Sequence, residues 1–210
     1  MPHSERIAEF LLSIGAVRLS LDPLFTWTSG IKSPIYCDNR MVLSHPEART
    51  FIVQALSDRV RNLHIEPDVI AGTATAGIAW GALSADRLNL PFVYVRAEAK
   101  EHGKKKQIEG DLKPGQHVVL IEDLISTGGS SLNATRALHD EGQAVVTDIV
   151  SISSYGFPSA HEKAQEQGIH LHPLSTITVL LAVAKERGML SSSDIGRISA
   201  FVQDPQQWSP

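Results

Sequence analysis

The chain has 210 residues, a formal net charge of −4 at pH 7 and a pI near 6.1. That length holds one α/β domain with a sizeable core plus a small appendage, and so mild an acidity gives no global attraction to nucleic acid or to an anionic membrane. No apolar run approaches the ~20 residues of a membrane span, and residues 1–6 lack the basic-then-apolar layout of a secretory signal. The single cysteine, Cys37, excludes an internal disulfide framework and suits a reducing cytoplasm.

In chain order, Ile7, Phe10, Leu11 and Ile14 fall at helical spacing, with Gly15 placed to close the helix. Asp22-Pro23 turns the chain into residues 25–36, which read as two short strands about a Ser-Gly turn. Lying ahead of the main alternation, this unit suits a cap over one end of a sheet. Ser44-His45-Pro46-Glu47 predicts a capping box, with Ser44 as N-cap and Glu47 reaching back. The helix it opens buries Ala48, Phe51, Ile52, Ala55, Leu56 and Val60.

Residues 68–71 predict a short strand, and 72–77 a turn of Gly, Ala and Thr before a helix through Leu88. Such a turn exposes backbone N–H groups while excluding bulk; tight strand–helix packing selects the same residues. Residues 91–96 predict another strand, so the alternation is regular and argues for a parallel sheet. Residues 97–114 break it. They are charged, with hardly an apolar anchor, the composition of a functional lid or a solvated loop; Lys104–Lys106 reads as a solvated tip.

The most informative stretch follows. Val118-Val119-Leu120-Ile121 predicts a buried strand, Glu122-Asp123 comes next, then a hydroxyl- and glycine-rich turn, then helical spacing from Ser130 to Leu138. A strand feeding a helix through such a turn leaves free N–H groups at the positive end of a helix dipole, an anion site suited to phosphate. Gly128 and Gly129 permit close approach, and Ser126, Thr127, Ser130 and Ser131 offer hydroxyl donors. Two carboxylates beside a phosphate repel it unless they face something else. A ribose diol, donating two protons, fits, so the stretch describes a ribose 5-phosphate site. Neither G-x-G-x-x-G nor G-x-x-x-x-G-K-[ST] is present.

Beyond it, a helix ends at Gly142, 145–152 predict a β-branched strand, 153–158 a loop, and 160–167 a polar helix stopped by Gly168. Residues 171–174 read as an edge strand because of Pro173. Helices follow over 177–184 and 195–202, the second capped by residues 191–194, and 204–210 are expected to fray. His170-x-His172 reads as surface rather than as a metal site.

Ile121-Glu122-Asp123-Leu124-Ile125-Ser126-Thr127-Gly128 resembles the phosphoribosyl pyrophosphate (PRPP) signature of the type I phosphoribosyltransferases. Thr28-Ser29-Gly30-x-Lys32-Ser33-Pro34-x-Tyr36, followed by Asp38-Asn39-Arg40, is similar to the hood of the orotate phosphoribosyltransferases. Arg96-x-x-x-Lys100-x-His102-Gly103, then Ile108-Glu109-Gly110, resembles their catalytic loop. The resemblance implies an α/β fold with a central parallel sheet flanked by helices. The hood is assigned to residues 1–40, the core to 41–203, the two forming one structural domain.

The resemblance also implies roles. Lys100, His102 and Asp123 would be catalytic. PRPP would be bound by Thr73, Ala74, Arg96, Lys100, His102, Glu122, Asp123, Leu124, Ile125, Ser126, Thr127, Gly128, Gly129 and Ser130, and orotate by Ile35, Tyr36 and Ser126. Mg²⁺ would be carried mainly on PRPP, with no direct protein ligand. The enzyme would be a cytoplasmic homodimer of pyrimidine (UMP) biosynthesis, its loop 96–110 acting on the neighbouring subunit, with no nucleic-acid or membrane partner. Some members carry basic residues where this chain has Thr28, Ala76 and Ala97, and an arginine near Ser154; which groups hold the orotate carboxylate is left open. A purine phosphoribosyltransferase would share the chemistry, but the hood string argues against it. A PRPP-sensing regulator would carry a DNA-binding segment and a basic face, neither of which appears in the sequence.

Overall fold

A computed structural model describes residues 3–27, 30–98 and 106–208. The apolar spacing near the start folds as α1 (His3–Ile14), burying Ile7, Ala8, Leu11 and Leu12 and ending where Gly15 adopts a left-handed φ of 76°. The hood follows: β1 (Val17–Leu19), β2 (Phe25–Thr26), β3 (Lys32–Ser33) and β4 (Ile35–Cys37). β2 and β3 form the expected hairpin, whereas β4 leaves it to pair antiparallel with β1. A three-residue strand is too short to carry a pattern, so β1 was not legible in the sequence.

A 3₁₀ helix (Asn39–Ser44) leads into α2 (Pro46–Arg61). The capping box expected at Ser44 does not form. Pro46 takes the first helical position, which makes His45 the N-cap, and no side chain caps it. Ser44 ends the 3₁₀ helix instead, and Glu47 reaches Arg6 at 3.3 Å.

The alternation then runs β5 (Val69–Thr73), α3 (Ala76–Leu88), β6 (Phe92–Val95), β7 (Ile108–Glu109), β8 (His117–Ile125), α4 (Gly129–Asp140), β9 (Val145–Ser154), α5 (Pro158–Glu166), β10 (His170–Thr176), α6 (Ile177–Glu186) and α7 (Ser192–Gln203). Six strands form one sheet in the order β10-β9-β8-β5-β6-β7, parallel throughout except where β7 pairs antiparallel with β6. Helices flank this sheet, which is the expected architecture. Val118, Val119, Leu120 and Ile121 at its centre are fully buried, as a strand covered on both faces requires.

Two strands run further than expected. β8 does not stop at Ile121 but continues to Ile125, because Glu122 and Leu124 stay in register with Ser151 and Ser153 of β9. β9 correspondingly extends through Ser154. Pairing with a long neighbour overrides the polar character of both segments. The capping box expected for the last helix is present: Ser191 Oγ accepts from the Asp194 N–H, and Asp194 accepts from the Ser191 N–H. Beyond α7, where fraying was expected, Trp208 folds back: its Nε1 donates to the Arg197 carbonyl and its ring meets Phe201 edge-on at 5.3 Å.

Candidate active site

The site lies at the carboxyl ends of β5 and β8, where an open α/β sheet presents its crevice. Continuation of β8 carries the acid pair up from the core floor rather than out on a turn. Glu122 is buried and Asp123 half-buried. Glu122 Oε1 accepts from the Asp123 N–H at 3.0 Å, and Oε2 accepts from Ser130 Oγ at 3.4 Å. Burial pushes the Glu122 carboxyl well above its ordinary range, and the Asp123 charge beside it pushes the same way. Burial raises Asp123 too, against hydrogen bonds that favour its charged form and the nearby Arg40. The pair therefore holds a proton more readily than two separate acids.

From Ile125 the chain turns through Ser126 and Thr127 to Gly128, which caps α4 in a left-handed conformation with φ 77°. Its carbonyl accepts the Leu132 N–H, while the first-turn N–H groups of α4 lack intrahelical acceptors. Thr127, Gly129 and Ser130 are exposed and Ser126 is half-buried, so this rim faces outward as an anion site requires. Ser131, which the sequence offered as a further donor, is buried, and its hydroxyl bonds to the Gly128 carbonyl at 3.2 Å. Ile125 is core, and Leu124 is held in the ladder.

The second turn stands opposite. Thr73 ends β5, and the Ala74 N–H is taken by the Val95 carbonyl at 2.8 Å. The Ala74–Thr75 peptide is cis, and α3 begins at Ala76. Packing here is very close. A Cβ on Gly72 would lie 2.8 Å from the Gly77 carbonyl oxygen, and one on Gly77 only 2.7 Å from the Ile121 carbonyl oxygen and 3.5 Å from Glu122 Oε1. Tight packing and an open helix start thus occur in one turn, which seats α3 directly over the acid pair. A cleft of about 410 Å³ opens beside it, lined by Ala74, Thr75, Tyr94, Arg96, Ala97 and Glu98.

Arg96 ion-pairs with Glu109 at 3.5 Å across the stem of the charged loop. The same stem is closed by the Arg96 N–H to the Gln107 carbonyl, by Gln107 Nε2 to the carbonyls of Arg96 and Ala97, and by the Gln107 N–H to Glu141. Lys100 and His102 lie outside the described residues, as do Lys104 and Lys105. Among the described residues no group of three or more His, Cys, Asp or Glu side chains stands where it could hold a metal ion. His172 Nε2 instead bonds Asp148 at 2.7 Å.

The hood closes the other side. Ile35 is fully buried, and its carbonyl accepts from Trp27 Nε1 and Ser33 Oγ, both at 2.9 Å. Tyr36 is half-buried against Phe25, ring to ring at 5.6 Å. Two fastenings were not found from the sequence. Asn39, fully buried, donates through Nδ2 to the Asp123 carbonyl at 2.8 Å and to Ser153 Oγ at 3.2 Å, pinning the hood to the ends of β8 and β9. Trp27 stacks on Tyr155 at 5.5 Å with planes 10° apart, and Phe201 meets it edge-on. The only sequence signal for the first was an Asn inside the hood string; the second had none, because its partners are over 100 residues apart.

Comparison with known proteins agrees with this geometry. Residues 39–168 match the model of the phosphoribosyl transferase domain. The chain is 44% identical to an orotate phosphoribosyltransferase of Coxiella burnetii over the whole of both chains, and 46% identical to one of Listeria monocytogenes over 99% of each. Among solved structures, an Aeropyrum pernix orotate phosphoribosyltransferase matches with a TM-score of 0.74 at 29% identity, over 88% of this chain and 99% of that one. Leishmania donovani UMP synthase matches with a TM-score of 0.79 at 26% identity, over 95% of this chain but only 42% of that protein's length. With an acid pair beside a helix start at the crevice of a parallel sheet, and full-length relatives at this identity, the chain belongs to the orotate phosphoribosyltransferase family, within the phosphoribosyl transferase domain proteins.

Proposed function

We infer that the chain transfers ribose 5-phosphate from PRPP to orotate, giving orotidine 5′-monophosphate and pyrophosphate in pyrimidine biosynthesis. The observation that carries this reading is the placement of Glu122 and Asp123 next to the free start of α4, a diol site beside a phosphate site. The first turn of α4 and the hydroxyls of Ser126, Thr127 and Ser130 anchor the 5′-phosphate, and binding energy realised there orients C1′ for attack. The acid pair accepts the ribose hydroxyls and sets negative charge near the oxocarbenium-like centre that develops as the C1′–O bond breaks. The orotate ring nitrogen loses its proton without a strong general base.

Pyrophosphate leaves toward the cleft beside Thr73 and Ala74, and the loop residues Arg96, Lys100 and His102, supplied across the dimer, stabilise it. Ser126, Ile35 and Tyr36 border the base. Magnesium takes oxygen ligands and keeps its waters, and the acceptor oxygens at the ribose suit an ion carried in on PRPP. When bound, it adds positive charge to the departing pyrophosphate. The working form is a cytoplasmic homodimer in which loop 96–110 serves the neighbouring subunit.

Orotate consumption with PRPP and Mg²⁺, run beside adenine and hypoxanthine, tests the reading. Turnover of orotate alone is expected; purine turnover without orotate turnover overturns it. Lys100→Ala is expected to lower kcat by roughly two orders of magnitude or more. Mixing Lys100→Ala subunits with Asp123→Asn subunits should restore part of the activity if the loop acts across the dimer. Hybrids fixed at the mutant level refute that arrangement.

A further inference from the structure

At positions where some members carry a basic residue this chain is uncharged: Ala76 and Ala97 stand at the turn and cleft assigned to pyrophosphate, and Ser154, buried, uses its hydroxyl to accept the Gly156 N–H at 2.9 Å. A carboxylate on the substrate still calls for charged donors, best as a parallel pair.

Arg40 meets that need. Its neighbour Asn39 bonds the Asp123 carbonyl, so the start of the 3₁₀ helix is fixed against the mouth of the acid pair. Asp38 grips one edge of the guanidinium, Nε at 2.6 Å and Nη2 at 2.9 Å, which fixes its plane. A guanidinium has a second parallel edge, made by Nη1 and the outward N–H of Nη2. Among the described residues nothing accepts from Nη1, and the side chain is 60% exposed. The Arg40 charge also acts through space on Asp123 of the acid pair and on Tyr36, one of the residues expected at the orotate. Arg18 also lies over Tyr36, its guanidinium carbon 4.6 Å from that ring centroid and 5.5 Å from the Phe25 centroid, a cation–π arrangement.

We propose that Arg40, oriented by Asp38, binds the orotate carboxylate through its Nη1/Nη2 edge and sets the preference for a carboxylated pyrimidine. The proposal rests on the activity inferred above.

The test compares the wild type with Arg40→Ala, Arg40→Lys and Arg18→Ala, each checked by its melting curve, with the uncharged polar Arg40→Gln in place of an unfolded Arg40→Ala. The readouts are KM for orotate and for PRPP, and the affinities for orotidine and uridine 5′-monophosphates, which differ only by the carboxylate. Arg40→Ala is expected to raise KM for orotate roughly 10–100-fold with KM for PRPP within about threefold. It should also abolish a similar preference for orotidine over uridine monophosphate without changing uridine monophosphate affinity; Arg40→Lys should restore only part. An unchanged KM for orotate, a rise in KM for PRPP instead, an unchanged nucleotide preference, or the whole effect appearing in Arg18→Ala would each overturn it. Wild-type protein that fails to turn over orotate overturns the activity reading first; wild-type turnover with a silent Arg40 overturns only this proposal.

Discussion

A methyl group added at Gly77 would probe the seat of α3 on the acid pair. It would stand 2.7 Å from the Ile121 carbonyl oxygen and 3.5 Å from both Glu122 Oε1 and Thr73 Cβ. Comfortable carbon–oxygen contacts begin near ~3.3 Å, so helix and strand must part by about 0.6 Å, and the opposing atom is backbone with no rotamer to change. Overpacking of this kind costs roughly 1–3 kcal/mol. At this chain length each kcal/mol lowers Tm by about 2–4 °C, so Gly77→Ala should melt roughly 2–12 °C below the wild type. Displacing the turn that faces the acids should also lower kcat/KM for PRPP, by about 10-fold or more. Gly129→Ala makes the contrast: its nearest outside atom is Thr127 Oγ1 at 3.9 Å, and it starts α4. Alanine there should leave Tm unchanged or raise it by the equivalent of up to about 1 kcal/mol. Circular-dichroism melts of both variants decide the matter. Gly77→Ala melting with the wild type, or Gly129→Ala losing as much as Gly77→Ala, refutes the packing argument.

Because burial and Asp123 raise the Glu122 carboxyl in the folded state, its favourable contribution is complete below its unfolded value near 4.5 and is lost as pH rises through the higher folded value. Glu122→Gln should therefore be more stable than the wild type at pH 8, with the gap closing toward pH 4, while its PRPP affinity falls. Denaturant titrations across that range check it, and a gap that widens on acidification defeats it. Asn39→Ala leaves the Asp123 carbonyl and Ser153 Oγ without this donor and should lose roughly 1–3 kcal/mol in chemical unfolding; a loss near zero would mean that water replaces the amide.

Much of this molecule was legible in its residues because its signals are local. The run Val118–Ile121, the acid pair and the Gly128-Gly129 turn are contiguous, and their order in the chain is their order in space. What escaped depended on distant partners. The last four residues of β8 are not legible locally, because nothing near Glu122 announces a ladder with Ser151 of β9. The N-cap falls one residue beyond Ser44, since Pro46 decides which residue begins the helix. Ser131 looked equivalent to Ser130, yet helical rotation turns one to the ligand rim and the other into the core. Trp27 and Asn39 acquire their partners only when hood and sheet meet.

The two-residue β7 has a meaning for how the molecule behaves in a crowded solution. A parallel sheet that ended at β6 would offer a row of unpaired amides to any passing chain. The returning leg of the charged loop covers that row, and at two residues it is too short to become a template in its turn. At the opposite margin Pro173 removes a donor from β10. The segment that carries Glu109 opposite Arg96 therefore also guards against edge-to-edge aggregation, so that shortening it should produce a stickier protein.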